Sequence, residues 1–157
     1  MIKEYYNWGN TFTVEFELTV KKLPDTVKNV FIFESSKRAL ALGLYVKDDG
    51  IGSFYVCNGN QISDCEDIGY GFGLHRISIK QYWESGEYWY EVITDGLSKI
   101  KIINTKPRMY PNVKLYASDP FGKPFNSTFG NICNVAISEG KNLCSNQVRL
   151  TTQRQIP

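Results

Sequence analysis

Glu15 and Glu17 stand two residues apart in the run Thr-Phe-Thr-Val-Glu-Phe-Glu-Leu-Thr-Val-Lys between Thr11 and Lys21. Two carboxylates at that spacing share one face of an extended strand, and a carboxylate pair is what hydrolysis of a glycosidic bond requires. His75 is the single histidine, so a hydroxyl nucleophile would have to give its proton to that residue. No Gly-x-Ser-x-Gly turn accompanies it, and a histidine that opens a strand reads as a structural residue. Trp83 and Trp89 flank a glycine turn, where an exposed indole would offer a platform for the apolar face of a sugar ring. The alternative for both is core packing or a cross-strand aromatic pair. Asp64, Glu66 and Asp67 crowd around Cys65, and Asp119 opens a second polar stretch. Oxygen ligands of this kind suit calcium, yet nothing matches a twelve-residue calcium loop, and acids in a loop are commonly just solvated.

The four cysteines, Cys57, Cys65, Cys133 and Cys144, show no Cys-x-x-Cys spacing, which disfavours zinc and favours two disulfides. Of the three pairings, Cys57 with Cys65 and Cys133 with Cys144 is preferred because each would pin a polar loop to the strand before it. Disulfides imply a secreted or extracellular protein. Asn126-Ser127-Thr128 is an acceptor for N-linked sugar, in keeping with that compartment. Met1 runs straight into Ile-Lys-Glu-Tyr-Tyr with no leader, which reads as a mature or excised chain.

A chain of 157 residues is long enough for one domain with a single core. Its 18 lysines and arginines nearly balance 16 acidic residues and are scattered, which argues against nucleic acid and against an anionic membrane surface. No apolar stretch approaches the roughly 18 residues of a helical membrane span. Phe12, Val14, Phe16, Leu18 and Val20 alternate with polar residues, the mark of a half-buried strand. Tyr5 to Asn10 reads as an aromatic lead-in to it, and Val30 to Phe33 as a strand covered on both faces.

Leu40 to Val46, Ile51 to Cys57, His75 to Tyr82, Tyr88 to Val92 and Leu97 to Ile103 follow as strands, joined by turns that include Asp49-Gly50 and Asp95-Gly96. Asn58 to Gly73 and Ser118 to Phe129 read as long loops. Val113 to Ala117 and Gly130 to Ser138 close the set, the latter with Cys133, Val135 and Ile137 on one face. No helical spacing persists over three turns, so the fold is all-β, a two-sheet antiparallel sandwich of eight or more strands. The sandwich occupies residues 1–138, and 139–157 form a polar edge strand or tether.

Leu74-His75-Arg76-Ile77-Ser78-Ile79, a turn, and Tyr90-Glu91-Val92-Ile93-Thr94-Asp95-Gly96 resemble the central hairpins of laminin G-like domains. Val113 to Pro120 followed by Phe129-Gly130-Asn131-Ile132-Cys133-Asn134-Val135 resembles their closing segment. The Leu-Tyr-Ala-Ser-Asp-Pro run is also similar to secreted modules of cnidarians and other marine invertebrates. The resemblance covers the second half of the chain and departs from the family at Leu74, where tryptophan is usual. It implies a concanavalin A-like jelly roll. It also implies rim calcium held by Asp67 or Asp64 together with Asp119, the one cofactor in view.

Hydrolases of that architecture carry a Glu-x-Asp-x-x-Glu strand, and Phe16 to Val20 supplies neither the middle aspartate nor a third acid. Glu15 and Glu17 therefore read as solvated outer-face residues, and a glycosidase is the less favoured class. A galectin signature is absent too, although Trp8-Gly9-Asn10 matches a fragment of one. The expectation is a secreted, non-catalytic module that recognises a glycan or an extracellular protein through its rim loops, with Trp83, Trp89, Asp64, Asp67 and Asp119 as binding residues. The alternative is a structural or adhesive module that assembles with copies of itself.

Overall fold

A computed structural model describes residues 3–26, 28–35, 40–46, 54–57, 65–67, 71–117, 127–139 and 148–149. Among these the only regular structure is strand: β1 (Lys3–Trp8), β2 (Phe12–Val20), β3 (Lys28–Glu34), β4 (Leu40–Val46), β5 (Phe54–Cys57), β6 (Cys65–Asp67), β7 (Gly73–Glu84), β8 (Glu87–Thr94), β9 (Leu97–Ile103), β10 (Tyr110–Ala117), β11 (Gly130–Glu139) and β12 (Val148–Arg149). They form two six-stranded sheets, one ordered β1-β10-β3-β4-β5-β6 and the other β12-β11-β2-β7-β8-β9. Every pairing in both is antiparallel. The architecture is the all-β, two-sheet antiparallel sandwich that the alternation predicts.

The alternation of β2 translates directly into packing. Phe12, Val14, Phe16, Leu18 and Val20 are buried, while Glu15 and Glu17 look away from the core. Phe16 reaches across the sandwich to stack on Phe31, with ring centroids 5.4 Å apart. Val30 to Phe33 is buried at every position, as its continuous apolar run predicts. Trp8, 1% exposed, lies between Phe12 and Phe33 with ring centroids 5.2 and 4.6 Å away. Each sheet thereby covers the other's apolar face.

The β7-β8-β9 meander depends on two tight turns. Ser85 and Gly86 have φ of 53° and 88°, and Asp95 and Gly96 have 51° and 80°. Both central residues of a two-residue hairpin loop need positive φ for the turn to follow the strands' twist, which is why Ser-Gly and Asp-Gly stand there.

Strand β1, the segment Cys65–Asp67 and the course of β11 differ from the sequence reading. The aromatic lead-in is strand β1, with Lys3 opposite Leu115 and Trp8 opposite Tyr110. Lys-Glu-Tyr-Tyr-Asn-Trp does not alternate, so only long-range pairing with β10 reveals it as a strand. Within the long loop after Cys57, Cys65–Asp67 pairs with β5. In β11, Cys133 pairs with Glu17 and Ala136 with Glu15, so Asn134 and Val135 together oppose Phe16. This β-bulge shifts the alternation by one and puts Cys133 on the outer face, separate from Ile137. In the tail read as an edge strand or tether, Val148–Arg149 pairs with β11 at the edge of its sheet.

Candidate functional site

Among the described residues, the outward face of the second sheet carries an array of hydrogen-bonding side chains. Cross-strand register sets it out in rows: Glu17 opposite Arg76, Glu15 opposite Ser78, Lys80 opposite Glu91, which in turn faces Lys101, and Tyr82 opposite Trp89, which faces Ile103. A groove of about 290 Å³ opens over the first two rows, lined by Glu15, Glu17, Arg76, Ser78, Ile93 and Asn134, with Phe16 and Ile77 also contributing.

Glu17 is the best-held group in it. Its Oε2 accepts from Asn134 Nδ2 at 2.7 Å and lies 3.6 Å from Cys133 Sγ, and its Oε1 accepts from Arg76 Nε at 3.4 Å. The Asn134 amide foremost, with the thiol and guanidinium behind it, holds the Glu17 carboxyl below its ordinary range. The bulge is what makes this contact. Asn134 sits at φ 53°, a left-handed conformation that asparagine tolerates better than most residues, and its amide reaches Glu17 from that position. Glu15 has a sparser setting, accepting from Ser78 Oγ at 3.3 Å. The Cys133 thiol is pushed up by partial burial first and by the Glu17 carboxylate second.

At one end of the groove Asp95 bridges two partners. Its Oδ1 accepts from the Arg76 backbone N–H at 2.8 Å and its Oδ2 lies 2.9 Å from His75 Nδ1. Burial raises its pKa, but the hydrogen bonds from His75 and Arg76 outweigh that and the net direction is down. His75 Nε2 faces the Gly71 carbonyl at 3.0 Å, so both ring nitrogens meet oxygen acceptors. The ring is thus engaged as a clasp between Gly71 and the Asp95-Gly96 turn, in line with a structural reading.

The tryptophans divide. Trp89 belongs to the outer face, where Lys101 Nζ lies 5.1 Å from its ring centroid and 5.9 Å from that of Tyr82. The Tyr82 hydroxyl donates to Glu91 Oε2 at 3.3 Å. Trp83 follows the core-facing parity of Ile77 and Ile79 but runs past the core, so it is 57% exposed at the β7-β8 turn, set edge-on against Tyr88. Tyr88 Oη accepts from Asn10 Nδ2 at 3.1 Å.

Asp67 lies in β6, while Asp64, Asp119, Asn126 and Cys144 fall outside the described residues. Among the described residues no three His, Cys, Asp or Glu side chains converge as a metal site would require. Cys133, expected in a disulfide with Cys144, instead carries a free thiol directed at Glu17, and Cys144 lies outside the described residues. Arg76 and Ser78 are the partners that sequence reasoning passed over, and the alternation of β7 placed both on the face of Glu15 and Glu17. Asn134 had no such signal, because the bulge breaks the pattern that would have located it.

No family model and no curated protein matches the sequence. Among solved structures the chain is similar to a heptameric SAP-like pentraxin from Limulus polyphemus, at TM-score 0.57 and 13% identity over 87% of this chain and 66% of that one. It is also similar to an alginate lyase from Pseudomonas aeruginosa, at TM-score 0.58 and 11% identity over 86% and 68%. A marine alginate lyase of polysaccharide lyase family 7 from Zobellia galactanivorans follows at TM-score 0.58 and 12% identity over 85% and 65%. The chain therefore spans about two thirds of the length of each of these structures.

Such likeness establishes the fold, a concanavalin A-like jelly roll; the laminin G-like resemblance rests on the sequence motifs alone. The expectation that the protein lacks catalysis does not stand. Lyases occupy this same sandwich, and Glu15 and Glu17 line a groove beside Arg76, Ser78 and Asn134 where a bare solvated face was expected. The absent Glu-x-Asp-x-x-Glu strand excluded one hydrolase pattern and no other chemistry.

Proposed function

We propose that the protein is a secreted carbohydrate-recognising module whose ligand lies on the outward face of the second sheet. The observation that carries this reading is the groove itself, where a carboxylate, a guanidinium, a hydroxyl and a carboxamide converge within one cross-strand patch. Sugar hydroxyls need such a mixture of donors and acceptors, held in place before the ligand arrives. The sandwich is shared with a pentraxin and with alginate lyases, and carbohydrate as ligand class fits that company. A glycan array followed by calorimetry tests the reading. Arg76→Ala and Glu17→Gln are expected to weaken any hit by about tenfold or more, whereas Thr19→Ala, further along β2, leaves it unchanged. Hits that ignore both groove substitutions would sink it.

A second reading, cleavage of the bound glycan, is favoured by the unlike settings of Glu15 and Glu17. Glu17 is held as a carboxylate by three partners while Glu15 meets one hydroxyl, and carboxylates kept in different environments can divide the acid and base roles. Release of reducing ends or of unsaturated sugars from the array hits, lost in Glu17→Gln, is the corresponding result.

The extracellular assignment has its own test. Cys57 and Cys65 are direct cross-strand partners in β5 and β6. Antiparallel partners have Cα atoms about 4.5–5.5 Å apart, inside the range of about 4.4–6.8 Å that a disulfide spans. Peptide mapping without reductant is expected to recover the Cys57 and Cys65 peptides joined. Two alkylated thiols after secretion through an oxidising compartment would count against both the bridge and the localisation.

A further inference from the structure

We infer that the ligand is an uncharged, linear oligosaccharide or polysaccharide that lies along β7, filling the groove at one end and stacking on the Tyr82-Trp89 row at the other. The inference rests on the carbohydrate reading above and narrows it. Arg76, in the groove, and Tyr82, in the aromatic row, are six residues apart on one strand with outward-facing side chains. At about 3.3 Å per residue they are separated by about 20 Å, much more than one sugar ring covers. Between them lie Ser78, Lys80 and Glu91, each able to bond a hydroxyl, so the face offers polar contacts along its whole length.

Charge decides between neutral and acidic chains. Across these rows Glu15, Glu17 and Glu91 stand against Arg76, Lys80 and Lys101, three of each sign. Within the groove the balance tips to the acids, because two carboxylates, Glu15 and Glu17, line it with one arginine, which pairs with Glu17. A uronate or sulfate placed there would meet two carboxylates, a like-charge contact that costs affinity. At the aromatic end Lys101 Nζ lies 5.1 Å from the Trp89 ring centroid and 5.9 Å from that of Tyr82, an exposed ammonium on a flexible stem that a sugar ring displaces to reach the indole. A chain of hydroxyls, with apolar ring faces for Trp89 and Tyr82, complements this surface and a polyanion does not.

Calorimetry of the intact chain against gluco-, manno- and galacto-oligosaccharides of increasing length, with oligo-mannuronate and oligogalacturonate of matched lengths, tests this. Affinity for the best neutral series is expected to rise at least tenfold between the monosaccharide and chains that span both ends, and matched oligouronates to bind at least tenfold more weakly. Trp89→Ala should remove the gain from length while leaving the shortest ligands unaffected, and Lys101→Met probes the same row should the tryptophan variant fail to fold. Affinity independent of length, or uronates binding as tightly as neutral chains, overturns the inference. The carbohydrate reading survives that outcome as long as Arg76→Ala still weakens binding. If no sugar of any kind binds, the carbohydrate reading itself has failed and takes the narrower one with it.

Discussion

Replacing Phe16 by alanine is expected to remove about 3–5 kcal/mol of stability, the cost typical of truncating a buried aromatic side chain that leaves a cavity. Phe16 is 2% exposed, stacks on Phe31 of the opposite sheet, and lies directly beneath the bulge formed by Asn134 and Val135. A small domain is held by roughly 5–15 kcal/mol in total, so this one change consumes a large share of it. Denaturant titration followed by circular dichroism measures the loss. Glu15→Gln, one residue away on the outward face, should shift stability by no more than about 0.5 kcal/mol, since surface changes of that kind seldom do more. Equal effects from the two substitutions would mean that the sheets are not joined through the face of β2 that carries Phe16. The same experiment bears on function: collapse around a truncated Phe16 would move Glu15, Glu17 and Asn134 together, so glycan affinity should fall with stability.

Strand β2 was legible because strict alternation over nine residues admits one periodicity, and the same holds for β7 and β8, whose Ser-Gly and Asp-Gly turns fix the register. β1 was not. Its tyrosines and tryptophan suit several environments, and burial of Trp8 depends on β10, about a hundred residues later in the chain. Half of the site follows the same logic. Any residue on the Glu15-Glu17 face of β2, or on the Arg76-Ser78 face of β7, could be placed from parity alone. What parity could not give was which residues share a groove, because that depends on strand order, and β2 lies beside β7 and β11 across long chain separations. Asn134 was hidden more deeply, since a bulge is by definition a local failure of the two-residue period. Glu15 and Glu17 do face outward, with Glu15 exposed, as a strand considered alone suggests. What the strand alone could not show is that neighbouring strands supply Arg76, Ser78 and Asn134 beside them.

The exposed edge at β9 bears on the self-assembly alternative. Lys99 and Lys101 both project from this edge strand, flanking buried Ile100. Two copies paired antiparallel about Ile100 would set Lys99 of one against Lys101 of the other, a like-charge cross-strand contact that disfavours association. Lysines on an edge strand are a common guard against such pairing. Leu97 and Ile103, exposed at the two ends of the strand, add apolar area without altering that central repulsion.

The second large effect concerns Glu17 and pH. Its carboxyl is held below the ordinary range, chiefly by the Asn134 amide, so folding favours the ionised form. A depressed folded pKa means that the stability contributed by this group is present above the unfolded value and is lost as pH falls through the folded one. Because the carboxyl faces solvent, binding is the more sensitive readout. Glu17→Gln removes the ionised acceptor and should weaken glycan affinity by about tenfold or more at neutral pH. In the parent protein that affinity should persist to pH values below those at which an ordinary glutamate titrates. Asn134→Gly is the informative partner, since glycine accepts the left-handed backbone at φ 53° and removes only the amide. With the main hydrogen bond gone, the acid limb of binding should move up towards the ordinary carboxylate range, and NMR titration of the Glu17 carboxyl carbon should follow it. Coincident acid limbs in parent and variant would show that Asn134 does not set the charge of Glu17, and the groove would lose the preorganised carboxylate on which its recognition of hydroxyls depends.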